Sequence, residues 1–219
     1  MFVDLLPKSL PSLKHISFTY FNDPINGSQF PNCPVLERVE MSHRMPLSRH
    51  FWGTNFLHIT ALSFGNSDFW DDCDRAMLSL FPVLNDLTLF ILHGPTDEFG
   101  VDNGLPIILE HLHILRVHGR IPRGVLTKLV APALEELHLE ANADNITSIN
   151  ALQTSFHPHC LYIHALLPRA VSAKERAWAA NLSRLVQKCT RINSLYISRW
   201  MEGECKEFLS GQDVVLHVQ

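Results

Sequence analysis

Seven times along its 219 residues the chain returns to one short pattern: an apolar residue, a second three positions on, and a third two beyond that. The full copies are Leu13-Ile16-Phe18, Leu36-Val39-Met41, Ile59-Leu62-Phe64, Leu84-Leu87-Leu89, Leu112-Leu115-Val117, Leu134-Leu137-Leu139 and Ile192-Leu195-Ile197. Two weaker copies keep the final pair, Leu161-Ile163 and Leu216-Val218. In four copies a proline stands two before the first apolar residue, at Pro11, Pro34, Pro82 and Pro132. Counting the first position of each copy as 13, 36, 59, 84, 112, 134, 158, 192 and 213, most steps lie between 22 and 28 residues. A few aliphatics at this spacing are common in any protein. Their return at a nearly constant step predicts a repeat architecture.

The last three positions of each copy alternate apolar, polar, apolar, which makes a short strand with its apolar residues on one side. The residues before the next copy must bring the chain back to the same edge, so each strand lies parallel to the last. No unit can bury its apolar side alone, and stability becomes roughly a sum over neighbouring coils. A period in this range predicts a leucine-rich repeat solenoid of the α/β class, read as a single domain over residues 1–219 with about eight or nine irregular repeats. Its curved parallel sheet would carry helices and loops outside. "SAKERAWAANLSRLVQKC" reads as one such helix, with Ser172 and Glu175 as a capping box and with Trp178, Leu182, Leu185, Val186 and Cys189 on one packed face. "DDCDRAMLSLF" and "PRGVLTKLV" read as shorter helices, and "HGPTDEFGVDNGLP" as an irregular loop.

Composition narrows the function classes. Hydrophobic residues make up 46% and charged residues 18%, as in ordinary globular chains. The formal charge is −4, from 18 basic and 22 acidic residues, and no basic stripe is present to draw phosphates, so no nucleic-acid partner is expected. No apolar run is long enough for a membrane helix, and "MFVDLLPKSLPSLKH" lacks the layout of a secretory signal. The five cysteines, Cys33, Cys73, Cys160, Cys189 and Cys205, are odd in number and widely spread. That argues for small buried hydrophobes in a reducing compartment, cytoplasmic or nuclear, over a disulfide framework.

Catalytic chemistry finds little footing. "FGNSD", Phe64 to Asp68, superficially resembles the serine block of certain hydrolases, but no G-x-S-x-G elbow or D-x-x-H pairing accompanies it. "HPHC", His157 to Cys160, offers three ligand types within four residues and no second cluster to complete a zinc site. Neither a phosphate-binding G-x-x-x-x-G-K-S/T nor a G-x-G-x-x-G occurs. The expectation is a non-enzyme with no metal and no cofactor.

Strand alternation leaves one residue between each apolar pair facing away from the core. That column runs Ser17, Glu40, Ser63, Thr88, Arg116, His138, Tyr162, Tyr196 and His217, with His118, Glu140 and His164 one row further along. Tyrosine and arginine often dominate interface energies. Arg116, His138, Tyr162 and Tyr196 are therefore the candidate centre of a partner-binding patch on the concave face. Thirteen histidines make a pH-dependent surface conceivable, although surface histidines commonly titrate without consequence.

With "LPSLKHISF", "CPVLERVEM", "FPVLNDLTL", "APALEELHL" and "CTRINSLYI" laid side by side, the chain resembles the leucine-rich repeat region of fungal F-box proteins, over nearly its whole length. That resemblance implies a substrate-binding module of a cullin ubiquitin ligase, in which an F-box docks on a Skp-type adaptor and the repeats hold the substrate. No F-box is visible in the sequence, so an adaptor contact is expected only if one lies outside this chain, which is then a fragment of a longer protein or a truncated product. The ladder asparagine of many leucine-rich repeats stands here only at Asn142. The alternative is a stand-alone repeat scaffold or inhibitor with no ligase role.

Overall fold

Each copy of the pattern ends in a strand. The computed structural model describes residues 6–18, 29–41, 53–65, 78–91, 106–119, 129–141, 158–165, 182, 186–187, 191–209 and 213–219. The strands are β1 (His15–Phe18), β2 (Arg38–Met41), β3 (Ala61–Phe64), β4 (Asp86–Ile91), β5 (Ile107–Ile108), β6 (Ile114–Gly119), β7 (Leu129–Val130), β8 (Glu136–Ala141), β9 (Cys160–Ala165), β10 (Ser194–Ile197) and β11 (Val215–Val218). Nine of them form one parallel sheet in the order β1-β2-β3-β4-β6-β8-β9-β10-β11, which is a solenoid. Apart from β5 and β7, which pair with each other, every strand lies beside its predecessor in the chain.

Backbone bonds fix the register. The first apolar residue of a copy sits just before its strand. At Leu13, Leu36, Leu84, Leu112 and Leu134 its N–H closes a turn onto the carbonyl three residues back, at 3.0 to 3.3 Å. One residue later, the carbonyls of Lys14, Glu37, Thr60, Asn85, His113, Glu135 and His159 each accept two N–H groups from the following copy. These seven forked bonds join the first eight coils and stop them slipping past one another, since a one-residue slip would turn every leucine outward. Ile16, Val39, Leu62, Leu87, Leu115, Leu137, Leu161, Leu195 and Leu216 accordingly stand side by side across the sheet.

Beneath them runs one continuous apolar core. Leu36, Leu84, Leu112, Leu115, Leu134, Leu137 and Leu195 are buried, each packed between neighbouring coils. Burial fades at both ends: Leu13, Ile16 and Leu216 are only partly covered, and Val218 on the edge strand is 37% exposed. A solenoid requires this, because its terminal coils have a neighbour on one side only.

The outer segments differ in part from expectation. Leu129 and Val130, read from sequence as the end of a helix, are strand β7, paired in parallel with Ile107 and Ile108 of β5. Leu129 and Ile107 are both buried there, and Leu109 N–H donates to the Val130 carbonyl at 2.9 Å, so coil-to-coil pairing overrides the local helical spacing. Of the long helix expected over 172–189, Leu182, Val186 and Gln187 are described and helical, with Leu182 and Val186 in the core. Leu78, from the short helix expected over 71–81, is helical as well. The rest of both segments, the loop at 93–105 and Asn142 lie outside the described residues.

A helix not foreseen, α1 (Glu202–Leu209), follows a 3-10 turn at Arg199–Met201. Met201, Cys205 and Leu209 recur every fourth residue and face the core, while Lys206 pairs with Glu202 on the solvent side at 2.5 Å. Among the described residues, no helix is long and apolar enough to cross a membrane.

Candidate functional site

The face of the sheet opposite the core is set by the same alternation that buries the leucines. Arg116, His138, Tyr162, Tyr196 and His217 occupy one register row on five consecutive strands, β6, β8, β9, β10 and β11. All four residues singled out from sequence are thus brought together in line. Parallel strands are spaced about 4.8 Å apart, close to the thickness of stacked rings, so planar side chains in one row are driven to stack.

They do. His138 lies flat on Tyr162 with ring centroids 4.0 Å apart and planes at 0°. Tyr162 stacks on Tyr196 at 4.2 Å, and Tyr196 on His217 at 4.3 Å. Each contact of this kind contributes about 0.5–1.5 kcal/mol beyond area burial. His217 was in the sequence column but outside the four expected residues; it closes the ridge at the edge strand. One row further along, Phe90 stacks on His118 at 4.6 Å, and His164 lies 5.8 Å from His138.

Because the ring faces cover one another, the ridge shows solvent its edges and its hydroxyl and imidazole groups. Burial, and then the nearby Glu136 carboxylate, push the Tyr162 phenol up to about 12, so it remains a hydrogen-bond donor.

Arg116 differs from its neighbours in the row. Its guanidinium is held by the Asp86 carboxylate, whose other oxygen lies 4.0 Å from Arg38. Arg38 and Asp86 stand on β2 and β4, and they meet over the small Ala61 of β3 between them. Asp86 and Arg38 were missed because the pattern assigns residues to a face without saying which reach across a small neighbour.

Two carboxylates border the ridge. Glu136 Oε2 lies 3.2 Å from His138 Nε2, two residues along the same strand. Glu140 accepts the Gly119 N–H at 2.9 Å and lies 3.6 Å from His118 Nδ1. His118 and His138 are both held below the ordinary histidine value of 6.5, chiefly by burial; Glu140 and Glu136 oppose that effect without overcoming it.

This has a consequence for stability. A histidine whose folded value is depressed binds its proton more readily in the unfolded chain, so its contribution is complete above about pH 6.5 and is lost as the pH falls toward the folded value. The melting temperature should therefore be lower near pH 5.5 than near pH 7.5. A His118→Gln/His138→Gln variant should show a smaller difference, and an equal one would remove these two residues as the cause.

The other sites weighed from sequence fall largely outside the described residues. His157 and residues 66–68 lie outside the described residues, while Cys160 begins β9 on the outward face, half-buried. Among the described residues, no group of three His, Cys, Asp or Glu is placed to hold a metal ion. No protein-family model matches the chain, and no curated protein or solved structure matches it either.

Proposed function

We propose that this chain is a leucine-rich repeat recognition module that binds a protein partner through the ridge of Arg116, His138, Tyr162, Tyr196 and His217. The stacked column carries the reading. Four rings locked face to face in one register row form a rigid surface that loses little side-chain freedom on binding, which is the quality that makes tyrosine effective at interfaces. The repeat step, the all-parallel sheet and the turn ahead of each strand support the leucine-rich identity. In its most specific form, the proposal makes these the substrate-holding repeats of an F-box-type ubiquitin-ligase adaptor, with the F-box supplied by sequence outside this chain. The reading places the protein in the cytoplasm or nucleus, in keeping with free thiols at Cys33, Cys160 and Cys205.

Affinity capture with the wild-type chain and a Tyr162→Ala/Tyr196→Ala variant tests this. A specific partner should bind the variant at least about tenfold more weakly, the scale of losing central aromatic anchors. If every captured protein binds both forms equally, the ridge is not the interface. A Skp-type adaptor should appear only with a longer form that carries an F-box.

A further inference from the structure

We propose that the interface continues past Arg116 onto β2, β3 and β4, and that an aspartate or glutamate side chain of the protein partner docks there, its carboxylate held by Arg38 and Arg116 together. This contact rests on the ridge being the interface and adds a second, chemically distinct anchor for the same partner.

The first support is charge. Arg38 and Arg116 are the arginines and lysines found at the described outward strand positions, and both turn toward Asp86. Two guanidinium groups thus share one carboxylate, which leaves a positive charge over at this point of the face. Glu40 is the other outward carboxylate on β1 to β4. It stands behind an Arg38 side chain that reaches the opposite way, across Ala61 to β4, and among the described residues neither arginine pairs with it. One carboxylate from outside balances the group.

The second support is the set of donors. A guanidinium carries five N–H groups in a flat fork. Arg116 donates from Nη1 to Asp86 Oδ1. Arg38, at 4.0 Å from Oδ2, is in reach for charge attraction but not for a hydrogen bond. It is drawn over β3 while its own side-chain N–H groups meet no protein acceptor among the described residues. In the next row, Ser63 and Thr88 stand side by side between Glu40 and Arg116 and add two hydroxyls. Because β3 turns only Ala61 and Ser63 outward, an incoming side chain reaches these donors without obstruction. A flat carboxylate matches a guanidinium fork, and such charge-assisted pairs are roughly twice as strong as neutral hydrogen bonds. A phosphate dianion would bring more negative charge against Asp86 than the two arginines leave over, and a basic side chain would be repelled by both.

The third support is continuity. Arg116 belongs to this group and to the row of His138, Tyr162 and Tyr196. From β4, where Asp86 gathers the arginines, Tyr162 and Tyr196 lie three and four strands away. At about 4.8 Å per strand and about 3.3 Å per residue of an extended segment, the partner's acidic residue stands about four to six residues from the one that meets the tyrosines.

The test uses the full chain, immobilised, and a displayed library of random twelve-residue peptides selected at about pH 7.4. Peptides that lose binding to the Tyr162→Ala/Tyr196→Ala variant are carried forward, and these should contain aspartate or glutamate. Changing that acid to its amide in the peptide, or Arg38→Met in the protein, should each weaken binding about tenfold. Both changes together should cost little more than either alone, the mark of two groups in direct contact. Arg38→Lys, which keeps the charge and loses the fork, should fall between. Arg38 is half exposed, so its variants should melt near the wild-type temperature. Ridge-dependent peptides that carry no acid, or that ignore Arg38, overturn the proposal and leave the recognition reading standing. Losses that simply add place the acid elsewhere and overturn it as well. A phosphoserine that binds more than about tenfold more tightly in the acid's place overturns the carboxylate as the ligand. If no peptide depends on the ridge, that reading falls and this contact falls with it.

Discussion

Replacing Leu115 with alanine will lower the free energy of unfolding by about 3–4 kcal/mol, while the same change at Leu216 will cost about 1 kcal/mol or less. Both leucines hold the same position in their copies and the same row of the sheet. They differ in their neighbours. Leu115 on β6 has Leu87 on one side and Leu137 on the other, and is 0% exposed. Leu216 lies on the edge strand with only Leu195 beside it, and is half-buried. Truncation at the centre leaves a cavity walled by two coils that are each pinned by forked backbone bonds and cannot collapse into it. Truncation at the edge exposes surface that was already partly wet. Urea unfolding of the two variants measures the contrast directly. Equal losses would mean that the coils are not stabilised by their neighbours, and the repeat account of the core would fail.

This contrast also marks what could be read from sequence. Strand positions and the shared row were legible because both follow from one periodic constraint: apolar residues at a two-residue spacing must face a core that recurs every turn. The copy beginning at 158 shows the strength of that constraint. It lacks the first leucine, yet β9 pairs in full register with β8 and β10, and Pro158 is buried in the leucine's place. The outward column was legible for the same reason, since a residue between two buried ones must point the other way.

Other features depend on partners far apart in sequence, which a repeat does not specify. The Arg38–Asp86–Arg116 grouping forms because Ala61 is too small to separate its members, a fact of side-chain size at a position the pattern leaves open. Strands β5 and β7 form because two coils bring Ile107 and Leu129 together behind the main sheet, where local leucine spacing suggests a helix. Helix α1 had a readable sign in the four-residue spacing of Met201, Cys205 and Leu209. The repeat does not specify it, because that spacing falls between two copies of the strand pattern and belongs to neither.

Asn55 was also invisible from sequence, and a change there should be severe: Asn55→Ala will destabilise the protein by about 2–4 kcal/mol, more than any exposed polar residue. Among the described residues it is the one buried polar side chain, only 2% exposed, in the 3-10 turn Asn55–Leu57. Its Oδ1 accepts the Cys33 N–H and its Nδ2 donates to the Pro31 carbonyl, both at 2.7 Å. One side chain thereby meets the backbone needs of the preceding coil just ahead of Leu36, where the turn is too tight for both groups to find partners of their own. Alanine removes the amide and leaves a buried donor and a buried acceptor without it, each costing about 1–3 kcal/mol. Aspartate separates the two bonds: it can still accept from Cys33, but as a carboxylate it faces the Pro31 carbonyl with no proton to give, so it should rescue little near pH 7. A melting series of Asn55, Asn55→Asp and Asn55→Ala checks this ordering. An alanine variant within about 0.5 kcal/mol of wild type would show that water serves both groups equally well, and that the coil does not depend on this bridge.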